Sequence, residues 1–171
     1  MPASTEQQHF HLAGPILAVG SVIKPGNWGR IIRGYGWSHT QAIKEMALEN
    51  ARVLRFPHRP SRLDSAFVFL TADEGRDFRQ RIGGFTHHVL YRVSLDNPSA
   101  LSHVTDSRLS GPQGSLHHDW TDFYWREFDP TSLVIPGVNG VWASAVANAP
   151  GGINSREMLT LSDLTIEECL D

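Results

Sequence analysis

Three short segments set a chemically distinctive side chain on or beside an apolar, strand-like run: Phe10-His11-Leu12, Phe67-Val68-Phe69-Leu70-Thr71 and Arg156-Glu157-Met158-Leu159. A histidine, an aromatic ring and a carboxylate in that order suit the cleavage of a glycosidic bond. That cleavage builds oxocarbenium-like charge on a sugar, and a carboxylate fixed beside the sugar stabilises the charge. An aromatic such as Phe69 or Trp28 stacks on a flat heterocycle. Arg30, in Asn27-Trp28-Gly29-Arg30, and Arg62, in Pro60-Ser61-Arg62, are candidates for holding a pyrophosphate, because the guanidinium fork binds two oxygens at once. Gly26 and Gly29 would let backbone approach such a ligand closely.

Each of these residues also has a plainer reading. His11 is then a half-buried strand histidine, Phe69 a core residue, Glu157 a solvated charge at a strand entrance, and Arg30 and Arg62 surface arginines. The aromatic group from Trp120 to Trp125 reads as core in preference to a binding platform. The pairs His87-His88 and His117-His118-Asp119 do not make a metal site by themselves, since neighbours on a strand point to opposite faces and no standard ligand spacing accompanies them. Cys169 is the single cysteine, so no internal disulfide framework is available, and no flanking base activates the thiol. No Gly-x-Ser-x-Gly elbow and no Gly-x-Gly-x-x-Gly after a strand are present.

The elements that must carry these residues read as follows. His9 to Ala13 is a short strand stopped by Gly14-Pro15, and Val19 to Ile23 is a second extended piece closed by Pro25-Gly26. A Gly- and aromatic-rich stretch runs on to Trp37. Thr40 is the expected N-cap of a helix from about Gln41 to Leu54, with Ile43, Met46, Ala47, Ala51 and Leu54 at helical spacing. Ser65 to Thr71 is a buried strand. A helix follows from Asp73 to Ile82, acidic in its first turn and basic later, and Gly83-Gly84 stops it. His88 to Leu95 alternates, with Val89, Tyr91, Val93 and Leu95 on one face. His103 to Gly114 reads as loop, Asp119 to Phe128 as a helix, Leu133 to Ile135 as a short strand and Asn148 to Asn154 as loop. Glu157 to Leu161 and Leu164 to Leu170 are two late strands. Short strands separated by turns predict an α+β domain with mixed or antiparallel sheets and two or three helices.

At 171 residues the chain fits one domain, residues 1–171, with residues 1–8 as a flexible tail. A net charge of -3 argues against a general nucleic-acid binder. No apolar run reaches the roughly 20 residues of a membrane helix, and the polar start is not a secretory signal. A cytoplasmic protein is expected, with delivery into a host cell as an effector also compatible with such a start.

In the order of its motifs the chain resembles the ADP-ribosyltransferase superfamily, in the branch with a histidine, an aromatic and a glutamate. The rifampin ADP-ribosyltransferases and the poly(ADP-ribose) polymerases share that plan. Phe10-His11 followed by Leu17 to Ile23 is similar to the opening strand and turn of the rifampin enzymes. Phe67 to Thr71 resembles the aromatic strand, Tyr91-Arg92-Val93-Ser94 an intervening strand, and Arg156 to Thr160 the strand that carries the glutamate. The resemblance implies an ADP-ribosyltransferase-like fold of split sheets. It implies NAD as substrate, cleaved at the nicotinamide–ribose bond. Glu157 would stabilise the charge and hold a ribose hydroxyl, His11 would hold the adenosine-side ribose, and Phe69 would stack on nicotinamide where the family usually has tyrosine. Ser155 and Arg156 precede Glu157, so the paired glutamates of arginine-modifying members are absent. The acceptor, whether a protein side chain, a nucleic acid or a small molecule, is open. Two alternatives share the fold: a module that binds NAD or ADP-ribose without transfer, and an RNA 2′-phosphotransferase that consumes NAD.

Overall fold

A computed structural model describes residues 7–111, 120–126 and 155–171. The expected strand Leu133 to Ile135, the loop Asn148 to Asn154, the His117-His118-Asp119 group and the first six residues lie outside them. The described chain runs β1 (His9–Ala13), β2 (Val22–Ile23), α1 (Asn27–Tyr35), α2 (Ala42–Arg55), β3 (Ala66–Val68), α3 (Ala72–Arg81), β4 (Val89–Leu95), β5 (Ser102–Asp106), α4 (Trp120–Trp125), β6 (Arg156–Thr160) and β7 (Leu164–Cys169). The strands form two sheets ordered β1-β4-β7-β2 and β3-β6-β5. Every pairing among the described strands is antiparallel, which makes the protein α+β. No helix among the described residues is long and apolar enough to cross a membrane.

Strand alternation divides the core in three. Tyr91 and Val93 of β4 and Leu164 and Ile166 of β7 pack against Ala66 and Val68 of β3 and Met158 of β6, filling the space between the sheets. Phe10, Leu12 and Leu90 point the other way, toward Phe69 and α3. Leu159 on the outer face of the smaller sheet meets Leu48 and Ala51 of α2 and Tyr124 and Trp125 of α4. The sheets touch where Phe10 and Phe69 exchange backbone hydrogen bonds of 3.0 and 2.7 Å.

Three expectations change. The stretch after Pro25-Gly26 is a helix, α1, giving four helices among the described residues in place of two or three. Its close seat explains Gly29: a Cβ there would stand 1.9 Å from the Leu63 carbonyl oxygen. The close approach that this glycine permits is therefore to the chain's own backbone. In α2 the N-cap position is Gln41 and not Thr40, with no side-chain cap. Its packed face is Ala42, Glu45, Leu48 and Ala51, whereas Ile43 and Leu54 are 69% and 76% exposed. The stripe is rotated because Glu45, a charged residue, turns inward to meet Arg62. Finally, His103 onward forms strand β5 and not a loop. Its polar residues hid it from the pattern, yet they are satisfied inside: His103 Nε2–H and the Thr105 hydroxyl donate to the Tyr124 carbonyl at 2.9 and 2.8 Å.

Candidate functional site

The segment just after α2 turns Arg62 inward between α2 and the smaller sheet. A short helical turn over Arg62–Asp64, capped by the Ser61 hydroxyl, fixes it there. Arg62 is 6% exposed and Glu157, on β6, is 4% exposed. Arg62 donates from Nε and Nη2 to the two Glu45 oxygens at 2.9 and 3.1 Å. Its Nη1 reaches Glu157 Oε1 at 2.9 Å and also the Tyr124 hydroxyl. Tyr124 in turn donates to Glu157 Oε1 at 2.6 Å. The guanidinium also lies 4.9 and 4.7 Å from the centroids of the Phe67 and Tyr124 rings, within cation–π range of both.

Physical chemistry sets the charge states. Burial alone would push the Glu45 carboxyl up, but Arg62 and, behind it, Lys44 hold it below its ordinary value. Burial opposes the Arg62 charge, yet Glu45, Tyr124 and Glu157 raise its pKa well above the usual arginine range. Burial, reinforced by Glu157, pushes the Tyr124 phenol well up, so the hydroxyl keeps its proton and remains a donor. The cluster is a carboxylate aimed by one neutral and one cationic donor, in surroundings where such bonds are strong.

The other expected residues lie elsewhere. His11 pairs with Tyr91 on β4, facing the space between the sheets with Val68 and Met158, whereas Glu157 shares the outer face with Leu159. The two therefore sit on opposite sides of the β3–β6 pair. His11 Nδ1–H donates to the Phe67 carbonyl at 2.7 Å, tying β1 to β3. Burial lowers its pKa, which leaves a neutral ring with Nε2 as acceptor. Phe69 is a core residue, 4% exposed, with Phe78 at 5.2 Å between centroids. Its ring is enclosed where a stacking partner would need an open face. Arg30 is exposed and bonds locally, to Asn27 Oδ1 at 3.3 Å and the Pro25 carbonyl at 3.4 Å. Trp28 stands edge-on to His39 at 5.2 Å. Its indole N–H is buried without a hydrogen-bond partner among the described residues, though near enough to Glu45 to favour that carboxylate.

Glu157, Arg62 and Trp28 thus gather around one cluster, while His11, Phe69 and Arg30 do not. Two members went unrecognised in the sequence. Glu45 carried a usable signal, an acid spaced three residues from Ala42 and Leu48. Tyr124 carried none that separated it from its aromatic neighbours.

A cavity of about 500 Å³ opens between the sheets, lined by His9, Arg92, Ser102, Met158 and Thr160 among others. It lies on the Met158 side, away from Glu157. No group of three or more His, Cys, Asp or Glu side chains among the described residues is arranged to hold a metal. No protein-family model matches the chain, and no curated protein matches its sequence.

Proposed function

We propose that the protein is an NAD-consuming ADP-ribosyltransferase that cleaves the nicotinamide–ribose bond beside Glu157. One observation carries the reading. The three segments that resemble the family's motifs are neighbours across the seam of two antiparallel sheets: β1 meets β3 through Phe10 and Phe69, and β3 pairs with β6 in the register Phe67–Leu159. Segments about 60 and 90 residues apart in sequence have no local reason to adjoin in that order.

In this reading Glu157 is the catalytic carboxylate. Arg62 and Tyr124 position it, so that its charge is fixed before positive charge develops on the ribose. Arg62 does not serve as a pyrophosphate ligand in this reading, because it is buried, donates to Glu45, Glu157 and Tyr124, and lies against the Phe67 and Tyr124 rings. His11 is assigned to the joint between β1 and β3, since it cannot touch the same sugar as Glu157 from the opposite face. Trp28, beside the cluster, remains the stacking candidate.

A second reading is favoured by the same engagement. Glu157 held by Arg62 and Tyr124, with Phe69 in the core, suits a module that binds NAD or ADP-ribose without cleaving it. Calorimetry with NAD, followed by assay of the same sample for free nicotinamide, separates the two. Heat of binding with nicotinamide release supports the transferase. Binding without release supports the module, and no binding refutes both.

A further inference from the structure

α2 buries one face and leaves an apolar face bare. Ile43, Met46, Val53 and Leu54 are 69%, 44%, 54% and 76% exposed, and Ala47 and Asn50 lie between them. At 3.6 residues per turn these six positions fall within about 120° of arc, the width of a stripe that packs against another element. Nothing charged interrupts it. The charged residues of α2 lie off the stripe, and each is paired within the chain: Lys44 and Arg62 with Glu45, Arg52 with Glu49, and Arg55 with Asp122. The stripe is therefore neutral as well as apolar, and it offers no cation to a polyanion or an acidic membrane surface.

We propose that this stripe pairs with the same stripe of a second copy of the chain, the two helices running antiparallel about a two-fold axis at Asn50. The pairing is independent of the transferase reading above. Three and four residues to either side of Asn50 stand Ala47 and Met46, and Val53 and Leu54. An axis across the helix at Asn50 therefore sets Met46 against Leu54 and Ala47 against Val53, twice each, and Asn50 against itself. Asn50 is the one polar residue of the stripe, and it selects the occupant. Under lipid or a wholly apolar partner its amide would lose water and gain no hydrogen bond. A carboxamide both donates and accepts, so two copies of Asn50 satisfy each other, as a single Asn does in a coiled-coil seam. α2 has 14 residues and is about 21 Å long. A stripe of that length, about 10 Å wide, covers roughly 200 Å² per copy, against about 800 Å² per partner in a standard stable interface. The dimer is accordingly weak and reversible, and forms at high concentration.

Sedimentation equilibrium of the full-length protein, from about 1 µM to about 1 mM, tests the pairing. The expected result is an average mass that rises toward twice that of one chain. Met46→Glu and Leu54→Glu each put a good helix former at an exposed position, so both should keep the wild-type circular dichroism while weakening association about tenfold or more. Asn50→Cys, made together with Cys169→Ser, gives a second reading. Helices packed about 8–10 Å apart bring facing Cα atoms to about 4–6 Å, within disulfide reach. Mild oxidation should therefore link two chains through position 50. Asp73→Cys in the same background, 72% exposed on α3, should not link them. The mass of a single chain at every concentration, association that Leu54→Glu leaves intact, or equal cross-linking from positions 50 and 73 overturns the proposal. So does a monomer that sediments with phosphatidylcholine vesicles as wild type but not as Leu54→Glu, which would assign the stripe to a membrane surface.

Discussion

Replacing Arg62 by methionine is the most informative test of the buried cluster. The variant keeps an unbranched stem over the Phe67 and Tyr124 rings but removes the charge. Glu45 then loses the donors at 2.9 and 3.1 Å, while Glu157 loses one donor and keeps Tyr124 at 2.6 Å. Breaking a buried pair from one side costs about 3–5 kcal/mol, because a charge is left without its partner. Against a typical total of about 5–15 kcal/mol, the variant should be near the limit of folding. Arg33 provides the control. Its pair with Asp64, 2.8 Å long but more than half exposed on both sides, should cost about 0–1 kcal/mol when broken by Arg33→Met. Urea unfolding followed by tryptophan fluorescence measures both.

The pH dependence gives the sign. In wild type the folded Glu45 pKa lies below its ordinary 4.5, so its contribution is present above that value and is lost as pH falls through the folded one. In Arg62→Met the same carboxyl stays buried with only the more distant Lys44 as cation, 3.7 Å away, and burial then carries its folded pKa above the unfolded one. Lowering the pH from 7 toward 5 should therefore shrink the difference between variant and wild type. Adding Glu45→Gln to Arg62→Met should recover part of the loss at pH 7. An Arg62→Met cost no larger than that of Arg33→Met, or a difference that widens on acidification, would refute the electrostatic argument.

Other predictions follow from single contacts. Gly29→Ala should destabilise by about 1–3 kcal/mol, since the new Cβ would stand 1.9 Å from the Leu63 carbonyl oxygen; a gain in melting temperature would contradict that packing. Thr71→Ala should cost about 1 kcal/mol by chemical denaturation, because the Thr71 hydroxyl accepts from the Glu74 amide at the start of α3. Stability should also decline as pH falls below about 6.5: burial depresses His9, His11 and His88, so the unfolded chain binds protons more readily there. A melting temperature unchanged between pH 7 and 5.5 would argue against it.

The legible part of the fold was the part written in alternation and in the placement of charge along a helix. β1, β4, β6 and β7 follow their apolar pattern, and α3 carries Asp73 and Glu74 in its first turn and Arg79 and Arg81 in its last, as its charges indicate. What escaped was set by tertiary contact. α1 has no apolar repeat long enough to announce it; it forms where Gly29 lets it close on residues 62–64. The packed face of α2 was misread because the protein buries Glu45 and leaves Ile43 and Leu54 outside. β5 stayed hidden because its inward residues, His103 and Thr105, are polar and find their partner in the Tyr124 carbonyl. In the candidate site, Glu157 and Arg62 stood out by type, but their pairing across 95 positions is a property of the folded chain. Strand parity, by which Glu157 and His11 face apart, needs the sheet arrangement and not the sequence.

The central claim is that Glu157 breaks the nicotinamide–ribose bond, and the initial rate of nicotinamide release at saturating NAD tests it most directly. Glutamine at 157 preserves size and an oxygen to accept from Tyr124 while removing the charge. The account predicts release by wild type and a loss of about 10²-fold or more in Glu157→Gln, with NAD affinity retained. Equal rates in the two folded proteins, or no release from either, would contradict it.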